Sequence, residues 1–242
     1  MDYTLLIAAV VAFAPTLILM FTVLKKYTYP AVQNPFFSDP KLFGMFTIGL
    51  VVGTILIAVN WMLGAFFNLI FCILYAAIQC LVVVAIMNLK RFHGKSDTVF
   101  YGYGLGLGIG CTYALGFMYY FTATASDVIE EVLDLTSLAW LAIIALSFIL
   151  MFSAIGTTIS EGVARLRPME FMMQAIFSNV VFSLTVTGSM MFNESVALMM
   201  LVAVVALAVA AVYFYAVVHK GLSKVVRDVL KAEGKPTSEV PK

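Results

Sequence analysis

Charge is scarce in this 242-residue chain: Asp, Glu, Lys and Arg make up 11% of it, against roughly 25% in soluble globular domains. The hydrophobic share is 63%, which excludes an ordinary soluble domain and defines an integral membrane protein. There is no basic excess either. Fourteen Lys+Arg against thirteen Asp+Glu give a formal charge of +1, so nothing in the overall balance would attract nucleic acid. The three cysteines, Cys72, Cys80 and Cys111, all lie in apolar runs. There they pack as small hydrophobes and cannot build the loop-stapling framework of a secreted mini-protein. The two histidines, His93 and His219, fall at the ends of apolar runs.

Within those runs there is no Asp, Glu, Lys, Arg or His, the residue types that usually mark intramembrane chemistry. No HExxH, CxxC or carboxylate–histidine cluster occurs, so no metal, cofactor or catalytic residue is assigned. The last run lacks a lysine, which excludes a retinal-type Schiff base.

What the chain has in abundance is apolar length. A helix of about 20 apolar residues crosses the ~30 Å hydrocarbon core, and seven runs qualify: 3–24, 42–62, 65–88, 98–121, 137–159, 171–192 and 196–218. The expected fold is all-α, a seven-helix polytopic membrane protein of the cell membrane. A transmembrane domain spans 1–219 and a basic amphipathic tail 220–242, with no internal repeat. The first run is read as a retained helix, because it carries Asp2 where a signal has a basic region and Pro15 follows Ala12-Phe13-Ala14 directly.

Orientation follows from the basic residues, which are retained on the cytoplasmic side. Lys25, Lys26 and Lys41 flank the first loop, Lys90, Arg91 and Lys95 the third, and Arg165 and Arg167 the fifth, with the rest between Lys220 and Lys242. Asp2, Asp127, Glu130, Glu131, Asp134 and Glu194 flank the other ends. The N-terminus is therefore expected outside and the C-terminus inside.

The loop from Tyr27 to Pro40, with its prolines and aromatics, reads as an extended interfacial anchor. Ser126 to Leu135 reads as a short acidic helix. Leu222, Val225, Val226 and Leu230 form an apolar stripe beside lysines and arginine, as in a helix lying along the inner leaflet or gripping a partner.

Two further patterns carry more information. Gly102, Gly106 and Gly110 recur every four residues in the fourth run, as overlapping small-residue steps that permit close backbone contact; Gly49 and Gly53 offer a matching face on the second. Neutral polar residues form two stripes, Asn68, Cys72, Tyr75 and Gln79 on the third run and Gln174, Ser178, Thr185 and Ser189 on the sixth. Interhelical hydrogen bonds worth ~0.6–2 kcal/mol each account for such stripes. A polar cavity for a small molecule or a substrate helix is the sharper alternative.

The chain also resembles the PrsW family of polytopic intramembrane proteases. The resemblance rests on Ala14-Pro15, Lys25-Lys26-Tyr27, Ser38-Asp39-Pro40 and Phe46-Thr47-Ile48-Gly49, and above all on Asp97-Thr98-Val99-Phe100-Tyr101-Gly102 with Leu107-Gly108. It implies a protease scaffold over about residues 10–190. The family's catalytic residue types are missing, however. Its Glu pair on the third helix would fall around Ala76 to Gln79, its Glu-Asn pair on the fourth near Tyr113 to Gly116, and its histidines near Ser147 and Ser178, with Phe182 following. The expectation is a non-catalytic relative acting as a binding or accessory component of a membrane assembly, with the bilayer and a membrane-protein partner or substrate helix as its partners. A small neutral-solute transporter or channel using the two polar stripes is the alternative, and an active protease with unfamiliar ligands the lesser one.

Overall fold

The computed structural model describes the chain except residues 1–2, 30, 33–34, 65, 67, 127–134, 193–194, 233, 235–239 and 241–242. The described residues form eight α-helices: α1 (Tyr3–Leu24), α2 (Asp39–Leu63), α3 (Leu69–Met87), α4 (Thr98–Ser126), α5 (Leu135–Ala164), α6 (Pro168–Met191), α7 (Val196–Phe214) and α8 (Leu222–Ala232). A 3₁₀ turn at Lys90–Phe92 joins α3 to α4, and a π-helical segment, Tyr215–Gly221, carries α7 into α8.

Local chemistry sets several of these ends. Pro40 sits in the first turn of α2, where its missing N–H costs nothing, and Asp39 complements the positive end of the helix. Gly64 closes α2 at φ 60°, its N–H bonding the Asn60 and Trp61 carbonyls, a left-handed conformation natural to glycine. Asn68 caps α3, its Oδ1 accepting from the N–H groups of Ile70 at 3.0 Å and Phe71 at 3.3 Å.

Among the described residues six helices are long and apolar enough to cross a membrane: α1, α2, α3, α5, α6 and the continuous α7–α8 stretch. The glycine- and tyrosine-rich α4 is not among them. Its position explains its composition. Every residue from Thr98 to Ala114 is buried, because α1, α2 and α5 wrap around it. A helix enclosed by protein need not be greasy on any side; it needs small residues that let its neighbours in. Outside this hub α6 and α7 pack on α5, and α3 packs on α6.

Glycine serves two neighbours of α4 at once. The face of Gly102, Gly106 and Gly110 lies against α5. A Cβ on Gly106 would run into the Phe152 carbonyl and the Ser153 Cα at 2.9 Å, and one on Gly110 would come 2.8 Å from the Ile149 Cα. Gly156 of α5 is the reciprocal residue: a Cβ there would come 3.0 Å from the Gly106 Cα. Gly49 and Gly53 of α2 do pack on α4, but on a different side. Gly49 meets Leu105 and Gly108, and Gly53 meets Ile109 and Thr112. The pairing of α2 with the Gly102-Gly106-Gly110 face expected from the sequence is therefore corrected. Two glycine rows, offset by two residues and so about 200° apart around the helix, serve α5 and α2 separately.

Loops and α8 tie one end of the bundle together. Tyr27 and Phe37 fold inward, their rings each 5.0 Å from Phe100, so the first loop docks on the bundle where an interfacial anchor was expected. Tyr27 Oη and Ser223 Oγ share a hydrogen bond of 2.9 Å. Burial raises the Tyr27 phenol above its ordinary pKa, only partly offset by that bond, so it stays protonated. The apolar stripe of α8 is also turned inward. Leu222, Val225, Val226 and Leu230 are buried in the protein core, which leaves that stripe no leaflet to cover. Arg165 reaches from α5's end to both Glu161 at 2.8 Å and Asp228 of α8 at 3.0 Å. The third loop joins the same end through Gly94, whose N–H bonds the Val163 carbonyl at 3.4 Å. All three basic loops and α8 thus meet at one end of the bundle. The acidic segment expected as a short helix at 126–135 falls almost wholly outside the described residues.

Candidate functional site

Polar side chains along helix stretches that hold no charge must satisfy one another, since an unpaired amide in an apolar setting costs free energy. Four helices contribute to one such cluster. Asn60 of α2 donates through Nδ2 to the hydroxyl of Tyr113 on α4. Gln79 of α3 donates through Nε2 to the same hydroxyl at 2.9 Å. Asn179 of α6 donates through Nδ2 to Gln79 Oε1 at 2.8 Å and to the Ala76 carbonyl at 2.9 Å. Beside them Tyr75 donates to the Leu56 carbonyl and Thr187 to Cys72 Sγ at 3.2 Å.

Asn60, Gln79, Tyr113 and Asn179 are each no more than 4% exposed. Phe66, Phe148, Phe152 and Phe182 close over them, leaving a cavity of about 10 Å³, which is room for a single water. Two acceptors at this cavity, Asn60 Oδ1 and Asn179 Oδ1, have no partner. Tyr113 accepts two amide N–H groups, so its own O–H proton remains to be donated.

The chemistry of this set is limited to hydrogen bonding. Amides do not titrate and a phenol ionises near 10 in water, so the hydrogen-bonded amides and Tyr113 supply no general acid or base for neutral pH. Among the described residues no group of three His, Cys, Asp or Glu side chains comes together as a metal site would require.

Of the polar residues singled out in the sequence, the structure gathers Cys72, Tyr75 and Gln79 at the cluster and places the others elsewhere. Asn68 caps α3. Gln174 is exposed, and Thr185 bonds back to the Phe182 carbonyl at 2.6 Å. Ser178 faces Tyr213 of α7. Ser189 accepts from Trp140 Nε1 at 2.7 Å and donates to the Met199 carbonyl at 3.0 Å. The sixth-helix stripe is therefore displaced by one residue from the face that meets α3, which carries Asn179, Phe182 and Val186. Asn60, Tyr113 and Asn179 were missed by the sequence reading. Asn179 was findable, because 179, 182 and 186 also share a helical face.

No family model, curated protein or solved structure matches this chain.

Proposed function

We propose that this is a non-catalytic, PrsW-like protein of the cell membrane, which holds a membrane-spanning segment of another protein as a binding or accessory component of an assembly. In this reading the chain crosses the bilayer seven times. The enclosed α4 is the seventh span, the basic loops face the cytoplasm, and the N-terminus lies outside.

One observation carries the proposal. The stretches where the resembled proteases hold their acids and histidines each contribute to the wall of the same cavity: Gln79 from α3, Tyr113 from α4, Phe148 next to Ser147 on α5, and Asn179 with Phe182 on α6. Stretches far apart in sequence converge as an active site would, but the groups they bring are amides, a phenol and phenyl rings. Such a centre can hold helices in register and cannot move protons at neutral pH.

The cavity's size weighs against solute passage, since about 10 Å³ admits nothing larger than water. The lipid-facing surface is ample for a partner helix. On α3, Ile70, Phe71, Leu74, Ile78 and Leu81 all point away from the bundle. Affinity purification from native membranes in mild detergent tests the proposal. A membrane polypeptide recovered in fixed stoichiometry supports it, and a chain that always emerges alone overturns it.

A further inference from the structure

At the loop-bearing end of the bundle, α2 and the turn before α4 enclose a groove of about 260 Å³. Lys41, Arg91 and Lys95 line it, with Asp97 as the one acid among the lining residues. The N-termini of α2 and α4 lie close together, the N–H of Ser38 donating to Tyr101 Oη at 3.2 Å, which adds the positive ends of two helix dipoles. Arg91 is held in place with its guanidinium 4.6 Å from the Phe92 ring centroid. Apolar Met45 and Ile48 line the same groove, as does Gly44, where a Cβ would meet nothing within 4 Å. From there Ile48, Val51 and Ile55 continue as exposed apolar side chains along α2, spaced by three or four residues on one face.

A groove lined by cations that continues as an apolar track along a membrane helix matches an amphiphile with an anionic head. We infer that this groove binds one anionic phospholipid, its headgroup phosphate held by Lys41, Arg91 and Lys95 and an acyl chain lying along Gly44, Ile48, Val51 and Ile55. Basic pockets between helices at the cytoplasmic surface are the usual setting for such headgroups. The charge and the track are both needed. Charge alone would accept any anion, and the track alone would accept any lipid. The inference is independent of what the buried cluster does and requires only that this end of the bundle meets a leaflet.

Native mass spectrometry of the full chain in mild detergent tests it, with phosphatidylglycerol and phosphatidylcholine of identical acyl chains offered together. One phosphatidylglycerol should be retained per chain in preference to phosphatidylcholine. Lys41→Gln with Arg91→Gln and Lys95→Gln should lower that retention by on the order of 100-fold, while Lys220→Gln with Lys224→Gln leaves it unchanged. Gly44→Phe should reduce retention by blocking the track without altering charge. Its site is open, so the fold tolerates it, as an unchanged melting temperature will show. Equal retention of the two lipids, or a triple variant that binds like the wild type, would overturn the inference. So would full displacement of the lipid by equimolar inorganic phosphate, which would reduce the groove to a phosphate site.

Discussion

Gln79 and Asn179 lie a hundred residues apart in sequence and share a hydrogen bond of 2.8 Å across the α3–α6 interface. Through Gln79 the link continues to Tyr113, so one amide joins the outer helix α3 to both α6 and the buried hub α4. Removing it should leave Asn179 and Tyr113 each short of a partner. Gln79→Leu is expected to destabilise the protein by about 1–3 kcal/mol, whereas Gln174→Leu, at an exposed position, should change stability little. Thermal unfolding of both variants in the same detergent checks this, and equal melting temperatures would mean that the cluster does not hold the helices.

Backbone contact at the hub leads to a sharper contrast. Gly106→Ala places a methyl group against the Phe152 carbonyl and should cost at least the ~1–3 kcal/mol of an overpacked core. Gly44→Ala enters open space and should be nearly silent. Leu105→Ile, which conserves volume at a fully buried site, should stay below about 1.5 kcal/mol. A harmless Gly106→Ala would show that α4 and α5 are not in backbone contact.

Topology can be read by cysteine labelling, since the three native thiols are free and buried. Cysteines introduced at Lys26, Lys95 and Arg227 should react from the cytoplasmic side only, and one placed within 127–134 from the outside only. Reaction of both groups from one face would contradict seven spans.

The docking of α8 gives a further test. Val226 is fully buried in the core cluster, so Val226→Asp should release α8 and expose the tail to limited proteolysis. Asp228→Asn removes one partly exposed ion pair with Arg165 and should have only a small effect. Rapid clipping of the wild-type tail would show that α8 is not docked.

Much of this architecture was legible because the bilayer imposes a simple rule. Long uncharged runs become helices, and the expected bounds 3–24 and 98–121 sit on α1 and most of α4. What the sequence could not fix was rotation. A glycine row spaced by four residues announces a close neighbour without saying which, and α4 carries two rows, so Gly49 and Gly53 were matched to the wrong one. Likewise a one-residue choice between Ser178 and Asn179 turns a helix face by about 100°, enough to move the polar stripe from α3 to α7. Asn60 and Tyr113 carry no periodic polar neighbours on their own helices, so only the packing of α2 on α4 brings them together. The stripe of α8 looked the same whether lipid or protein would cover it. The inward loop and the end of α5 decide in favour of protein.

The most direct test of the proposed function offers the reconstituted chain a panel of transmembrane peptides and weighs what it retains. The expected result is peptide recovered bound and intact, with no new termini after prolonged incubation. Cleaved products that vanish in Gln79→Leu, or no bound peptide at all from any member of the panel, would contradict a non-catalytic binding role.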